Sequence, residues 1–222
     1  LTKPQVREIA KELGLATAEK KDSQGLCFIG KVSLPTFLQQ QLKAKEGEIV
    51  EIFSDFAEYH KEKPEFSSKL EELEYLSAKI HYKKSDGKVI GKHQGAQFYT
   101  IGQSKGLGIG GHKESCFLIS RDMENNILFV GEGSHFPGLH KKALKIDNSE
   151  LHWVREDMRL QNGESMEVMA RIRYRQPLEK ATLHQFQEGF FIEFENPQSA
   201  IAEGQFAAWY VGEELLGSGV IS

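Results

Sequence analysis

The chain has 222 residues, with 28 Lys and Arg against 32 Asp and Glu, a formal charge of −4, 39% apolar residues and 27% charged ones. That balance excludes a disordered or fibrous chain and, as a sum, a strongly basic nucleic-acid binder; the length suits one or two domains with a core in each. No run approaches 18 apolar residues, and the start lacks a charged stretch followed by a hydrophobic one, so neither a membrane span nor a secretory signal is expected. Two cysteines, Cys27 and Cys116, cannot make a disulfide framework, which points to a reducing cytoplasm. The sequence opens at Leu1 directly on a helical pattern, and a piece of a longer chain is expected.

Thr2-Lys3-Pro4 carries a capping residue and an early proline, Val6, Ile9, Ala10 and Leu13 follow at helical spacing, and Gly14 ends the pattern. A glycine-bracketed apolar segment, residues 25–30, comes next, then a second helix over 33–42 with Leu34, Phe37, Leu38 and Leu42 on one face. Residues 48–53 read as a strand. Ser68 and Glu71 form a capping box ahead of Leu70, Leu73 and Leu76, which mark a helix. Asp86-Gly87 reads as a hairpin turn into a strand over 88–93. If 48–53 and 88–93 are the arms of that hairpin, residues 54–85 are an insertion at its tip.

Strands are predicted at 97–101, 117–121 and 127–131, then a linker over 135–140 broken by Pro137-Gly138. Short strands recur beyond it at 143–153, 165–175, 180–186, 190–194, 205–211 and 214–221. Turns fall at Asn162-Gly163, Glu188-Gly189 and Gly212-Glu213. Six such strands argue a small barrel or sandwich. The fold class expected is mainly β with a few helices (α+β): a helical tail, a mixed mostly-β middle and a six-stranded β-barrel.

Cys27 follows Lys20-Lys21-Asp22-Ser23-Gln24-Gly25-Leu26, where nearby cations and free amides would favour a thiolate. Its neighbours Leu26, Phe28 and Ile29 equally suit a small buried hydrophobe. A thiol that carries sulfur needs no His/Asp partner, and none is evident. Cys116 at a strand entrance reads as structural. Neither cysteine has metal-ligand spacing to a second Cys or a His pair, so no metal is expected. The glycine-rich segment 102–111 lacks Walker and Rossmann spacing; it reads as a tight loop with Lys105 at its tip or as a cluster of structural turns. In an extended strand Arg171, Arg173 and Arg175 would share one face about 6.5–7 Å apart, close to phosphate spacing. The competing reading is a solvated face paired with acids, since residues 141–222 hold 9 basic and 13 acidic side chains.

Taken together these segments resemble the tRNA-specific 2-thiouridylases, the MnmA/TrmU family. Lys20 through Gly30 resembles the family's second-cysteine motif. Gly91-Lys92-His93-Gln94-Gly95 and Tyr99 through Gly111 resemble its most recognisable block. Asp122 with Glu124-Asn125-Asn126, Leu151-His152-Trp153, Arg173-Tyr174-Arg175-Gln176 and Gly204-Gln205 follow in family order. The resemblance covers nearly the whole chain except about 54–85. It implies an enzyme that adenylates the C2 oxygen of the wobble uridine in tRNA anticodons, using ATP and Mg²⁺, and replaces that oxygen with sulfur. The sulfur would arrive as a persulfide on Cys27, from a cysteine desulfurase or sulfur-relay protein, and a first cysteine in an N-terminal domain would resolve it and can pair with Cys27 as a disulfide. Contacts to tRNA carry over to Arg173, Tyr174 and Gln205, with Arg171, Arg175 and Lys105 as further candidates.

On this reading residues 1–30 end a PP-loop catalytic domain and hold the persulfide cysteine, residues 31–134 are a central domain, and residues 141–222 are a tRNA-contacting barrel. The PP-loop itself, its catalytic acid and the first cysteine are missing, so this chain alone is expected neither to bind ATP nor to thiolate tRNA. Ser104 stands where the family carries Arg. Two rivals remain: a non-catalytic RNA-binding barrel with a structural Cys27, and a protein-docking role for the 54–85 helix.

Overall fold

The computed structural model describes residues 2–16, 18–19, 44–174 and 176–222. The chain divides into two compact units, 1–44 and 45–222. Predictions that fall on the segment 25–30, on Cys27, on the helix over 33–42 and on Arg175 lie outside the described residues.

In the first unit, α1 spans Lys3–Glu12. The Thr2 amide and hydroxyl both donate to Gln5 Oε1, at 2.8 and 2.9 Å, which ties down the first turn. Gly14 ends the helix with φ +64°, as the spacing predicts.

The second unit begins with a four-stranded sheet in the order β2-β1-β4-β3: β1 Gly47–Glu51, β2 Lys88–His93, β3 Cys116–Asp122 and β4 Ile127–Glu132. β1 and β2 pair antiparallel, Gly47 opposite His93 and Glu51 opposite Lys88, while β1 and β4 run parallel. The proposed hairpin arms therefore pair. The segment between them is not a tight turn: Lys84–Asp86 forms a short 3₁₀ turn closed by Lys83 N–H to Asp86 Oδ2 at 2.7 Å. Alternation along β1 and β4 sends Ile49, Leu128 and Val130 to one core and Val50, Ile127 and Phe129 to another, so both faces of the sheet are covered.

The strand predicted at 97–101 does not form. Ala96–Phe98 is a 3₁₀ turn. Two buried side chains hold its entrance, Gly95 N–H donating to His93 Nδ1 and Ala96 N–H to Asn126 Oδ1, both at 2.9 Å. Those bonds take amides that a ladder would need.

Residues 140–221 close into a six-stranded barrel, β10-β5-β8-β7-β6-β9. The strands are β5 His140–Trp153, β6 Ser165–Arg171, β7 Glu179–Phe186, β8 Gly189–Ser199, β9 Phe206–Val211 and β10 Glu214–Ile221. Every neighbouring pair is antiparallel, and β10 returns to pair with β5, Gly217 opposite Trp153. Trp209 fills the interior against Phe190 and Trp153, with ring centroids 5.0 and 5.4 Å away. A Cβ on Gly217 would lie 2.7 Å from the Trp209 ring and 2.7 Å from the His152 carbonyl, so this position needs glycine.

The insertion joins sheet to barrel. Phe56, Tyr59, Tyr82 and Phe136 pack on the sheet, with the Tyr59 and Tyr82 hydroxyls 2.7 Å apart. The helix α2, Lys69–Ser77, is capped by Ser68 accepting from Glu71 N–H. Its fully buried Leu73 packs with Ala143 of β5 and Phe191 of β8, flanked by Leu70 and Leu76. Lys69 pairs with Glu193 at 2.8 Å, and Lys141 donates to the Ser77 carbonyl at 3.2 Å.

Candidate nucleic-acid interface

The strand that was to carry three arginines stops at Arg171, so Arg171 and Arg173 do not share a strand face. Residues 172–174 leave the ladder: Gln176 N–H donates to the Arg173 carbonyl at 3.1 Å and Ile172 N–H to Gln176 Oε1 at 3.3 Å. Pro177 supplies no donor with which to continue the ladder. Each described arginine then has its own environment.

Arg171 lies on the outward face of the barrel wall, since the neighbouring Ala170 is fully buried in the barrel core. Its guanidinium lies 4.9 Å over the Tyr210 ring, donates to the Tyr210 hydroxyl at 2.8 Å and to the Tyr174 carbonyl at 3.3 Å. It braces the turn from below. Arg173 is exposed but donates through Nη2 to the Ala200 carbonyl at 2.9 Å. Ala200 has φ +57° and belongs to the sheet core, while the adjoining Ile201 packs on the barrel core. Arg173 is therefore anchored on the seam between sheet and barrel.

Gly102 sits against the same seam: a Cβ there would come 2.3 Å from Ala200 Cβ and 3.5 Å from Arg173 Nη2. The foot of the glycine-rich loop thus meets the Arg173 turn. Further along, Leu107 is buried in the sheet core and Gln103 Nε2 donates to the Lys105 carbonyl at 2.8 Å, leaving Lys105 exposed at the tip.

Tyr174 is 87% exposed, the most exposed large hydrophobic residue among those described. Gln205 follows Gly204 (φ +76°), and its carbonyl accepts from Ile221 N–H at 2.8 Å. Its Oε1 is buried with no hydrogen-bond partner, an acceptor with free capacity. Sequence reasoning missed Phe206, 63% exposed at the start of β9. Period-two alternation puts it on the outward face with Ala208 and Tyr210, and Ala208 lies opposite Arg171. The signal was available in Gly204-Gln205-Phe206, where a large apolar residue sits at an outward position. The surface as a whole offers exposed aromatic faces beside guanidinium groups, a combination suited to unstacked bases and phosphates.

Among the described residues no helix is long and apolar enough to cross a membrane. Three family models match in succession: a tRNA methyl transferase HUP domain over residues 1–31, a tRNA methyl transferase PRC-barrel domain over 74–132, and an aminomethyltransferase β-barrel domain over 143–221. That succession is the domain order of a multidomain chain that joins two tRNA methyl transferase-type domains to an aminomethyltransferase-type β-barrel. Among curated relatives, the tRNA-specific 2-thiouridylase MnmA of Flavobacterium johnsoniae is 60% identical over the whole chain, which covers 56% of that protein. The MnmA proteins of Christiangramia forsetii and Levilactobacillus brevis are 54% and 40% identical, again over the whole chain, covering 56% and 50% of their lengths. The chain belongs to the tRNA-specific 2-thiouridylase family, and it spans about half the length of these relatives.

Proposed function

We propose that this chain supplies the sulfur-carrying cysteine and much of the tRNA grip of a cytoplasmic 2-thiouridylase acting on wobble uridines. Residues 1–30 end the PP-loop domain, residues 31–134 form the central domain and residues 141–222 the tRNA-contacting barrel. The observation that carries the grip is the 171–174 turn: Arg173 pinned on the seam, Tyr174 projecting almost fully into solvent, Arg171 holding both from beneath. Arg173 and Lys105 meet phosphates, Tyr174 stacks on an unpaired base, and Gln205 completes the same surface at the start of β9.

ATP and Mg²⁺ belong to the part of the enzyme this chain does not span. The glycine-rich loop does not fit a nucleotide triphosphate, because it leads into β3 and not into a helix N-terminus. The chain's own step is sulfur transfer. The Cys27 thiolate takes the terminal sulfur of a donor persulfide, releasing the donor thiolate. The resulting persulfide attacks the activated C2, and the leaving group departs with the oxygen. A second thiol then attacks Cys27 Sγ, breaking the S–S bond, leaving sulfur on the base and a disulfide on the protein.

The test uses the full-length protein with ATP, Mg²⁺, a persulfide donor and wobble-uridine tRNA, scoring 2-thiouridine by mass spectrometry. Thiolation that disappears in Cys27→Ser is the expected result. Thiolation that survives the substitution makes Cys27 structural and returns the chain to a non-catalytic RNA-binding module.

A further inference from the structure

Away from the RNA-facing seam, three potential metal ligands converge from three separate segments. Glu51 ends β1, Cys116 begins β3, and His112 lies in the loop between the glycine-rich segment and β3. Ligand atoms of the three lie within 4.8 Å of one another. Glu51 and Cys116 are 7% and 6% exposed, and the His112 side chain 17%. His112 Nε2 sits 3.0 Å from Glu51 Oε1, while His112 Nδ1 is buried without any hydrogen-bond partner. A buried ring nitrogen left without a partner is costly. Spacing along the chain shows none of this, because the three residues are brought together only by the pairing of β1, β3 and β4.

We propose that Glu51, His112 and Cys116 form a structural zinc site that clasps the foot of the glycine-rich loop to the sheet. The donor set of thiolate, imidazole and carboxylate is one that zinc accepts, with a fourth position for water or a neighbouring group. Charge argues the same way. A thiolate, a neutral imidazole and a carboxylate carry −2 together, so a divalent cation makes the buried site neutral, where any lone charge is heavily penalised. Nearby acids deepen the attraction: Cys116 pairs across the ladder with Glu132, whose carboxylate accepts from Glu114 N–H at 2.8 Å.

The experiment uses the full-length protein carrying Cys27→Ser, so that Cys27 thiolate cannot contribute, stripped of metal and titrated with zinc against a chromophoric chelator. Cobalt(II) is added in parallel. The site predicts one tight zinc per chain and a thiolate-to-cobalt absorption band in the near ultraviolet. Cys116→Ser and His112→Ala each weaken zinc by at least about tenfold, and Cys116→Ser abolishes the band. Zinc uptake unchanged by both substitutions, or no uptake at all, overturns the site. Should Cys116→Ser fail to fold, Glu51→Gln and His112→Ala carry the comparison, and absence of the cobalt band in the Cys27→Ser protein is by itself decisive against it.

Discussion

Tyr174 shows how a single residue is presented for use. Its side chain projects into solvent, while Arg171 donates to its carbonyl and also bonds and stacks on Tyr210. Losing a stacked aromatic ring weakens single-stranded RNA binding by roughly 1–3 kcal/mol per base. Tyr174→Ala is accordingly expected to weaken tRNA binding about 5- to 150-fold at fixed salt, with thermal stability unchanged. Filter binding and a melting curve on the same preparation check both halves; equal affinity for variant and wild type removes Tyr174 from the interface. The pair Arg173-Tyr174 was legible as a motif. Its geometry was not: counting alternate residues assumes the strand continues through 175, whereas it ends at Arg171, and Gln176 N–H bonds back to the carbonyl of Arg173, three residues earlier, while the Arg173 side chain bonds Ala200.

Elements that pack in two-residue or helical period were the readable ones. α2 with its Ser68 cap, the β1–β2 pairing and the six barrel strands follow from patterns that burial enforces, whereas α1, which buries no residue, follows from its helical spacing and its Thr2 and Gly14 ends. The segment 97–101 was misread as a strand because side-chain bonds from His93 and Asn126, distant in sequence, take the amides at its entrance, whereas the loop beyond it, with Lys105 at its tip, was legible from its glycines. α2 also carries a testable electrostatic cost. Burial, together with Lys79, lowers the Lys141 ammonium to about 8 where it meets the Ser77 carbonyl. Between about 8 and the ordinary lysine value the unfolded chain binds more protons than the folded one, so stability rises with pH across that window. Lys141→Met is expected to flatten that rise and to gain on the order of 1 kcal/mol at neutral pH, the lost bond to Ser77 offsetting part of the relief. Urea denaturation from pH 7 to 10.5 measures it, and a variant curve parallel to wild type contradicts the assignment.

For the molecule as a whole, the 54–85 insertion is a strut and not an appendage. It covers Phe129 of the sheet with Tyr82 and seats Leu73 on Phe191 of the barrel. Replacing 54–85 by a short loop is expected to lower the melting temperature of the full-length protein by several degrees or more, whatever it does to donor binding. An unchanged melting temperature would make the insertion dispensable to the fold. Composition could not reveal this role, since the segment's scattered aromatics meet one another, and Phe129 and Phe136 of the sheet side, only in the fold.

The closure of β10 on β5 reaches beyond equilibrium stability. Ile146 and Ile221 are partners in that ladder although the rest of the barrel lies between them in sequence. During synthesis β5 therefore waits with one bare edge until the final strand leaves the ribosome, and such long-range closure is slow. A stop codon or frameshift within β10 leaves two open edges, on β5 and β9, each a template for pairing with another chain. Loss of β10 should thus register first as insolubility in the cell, before any change in RNA affinity can be measured.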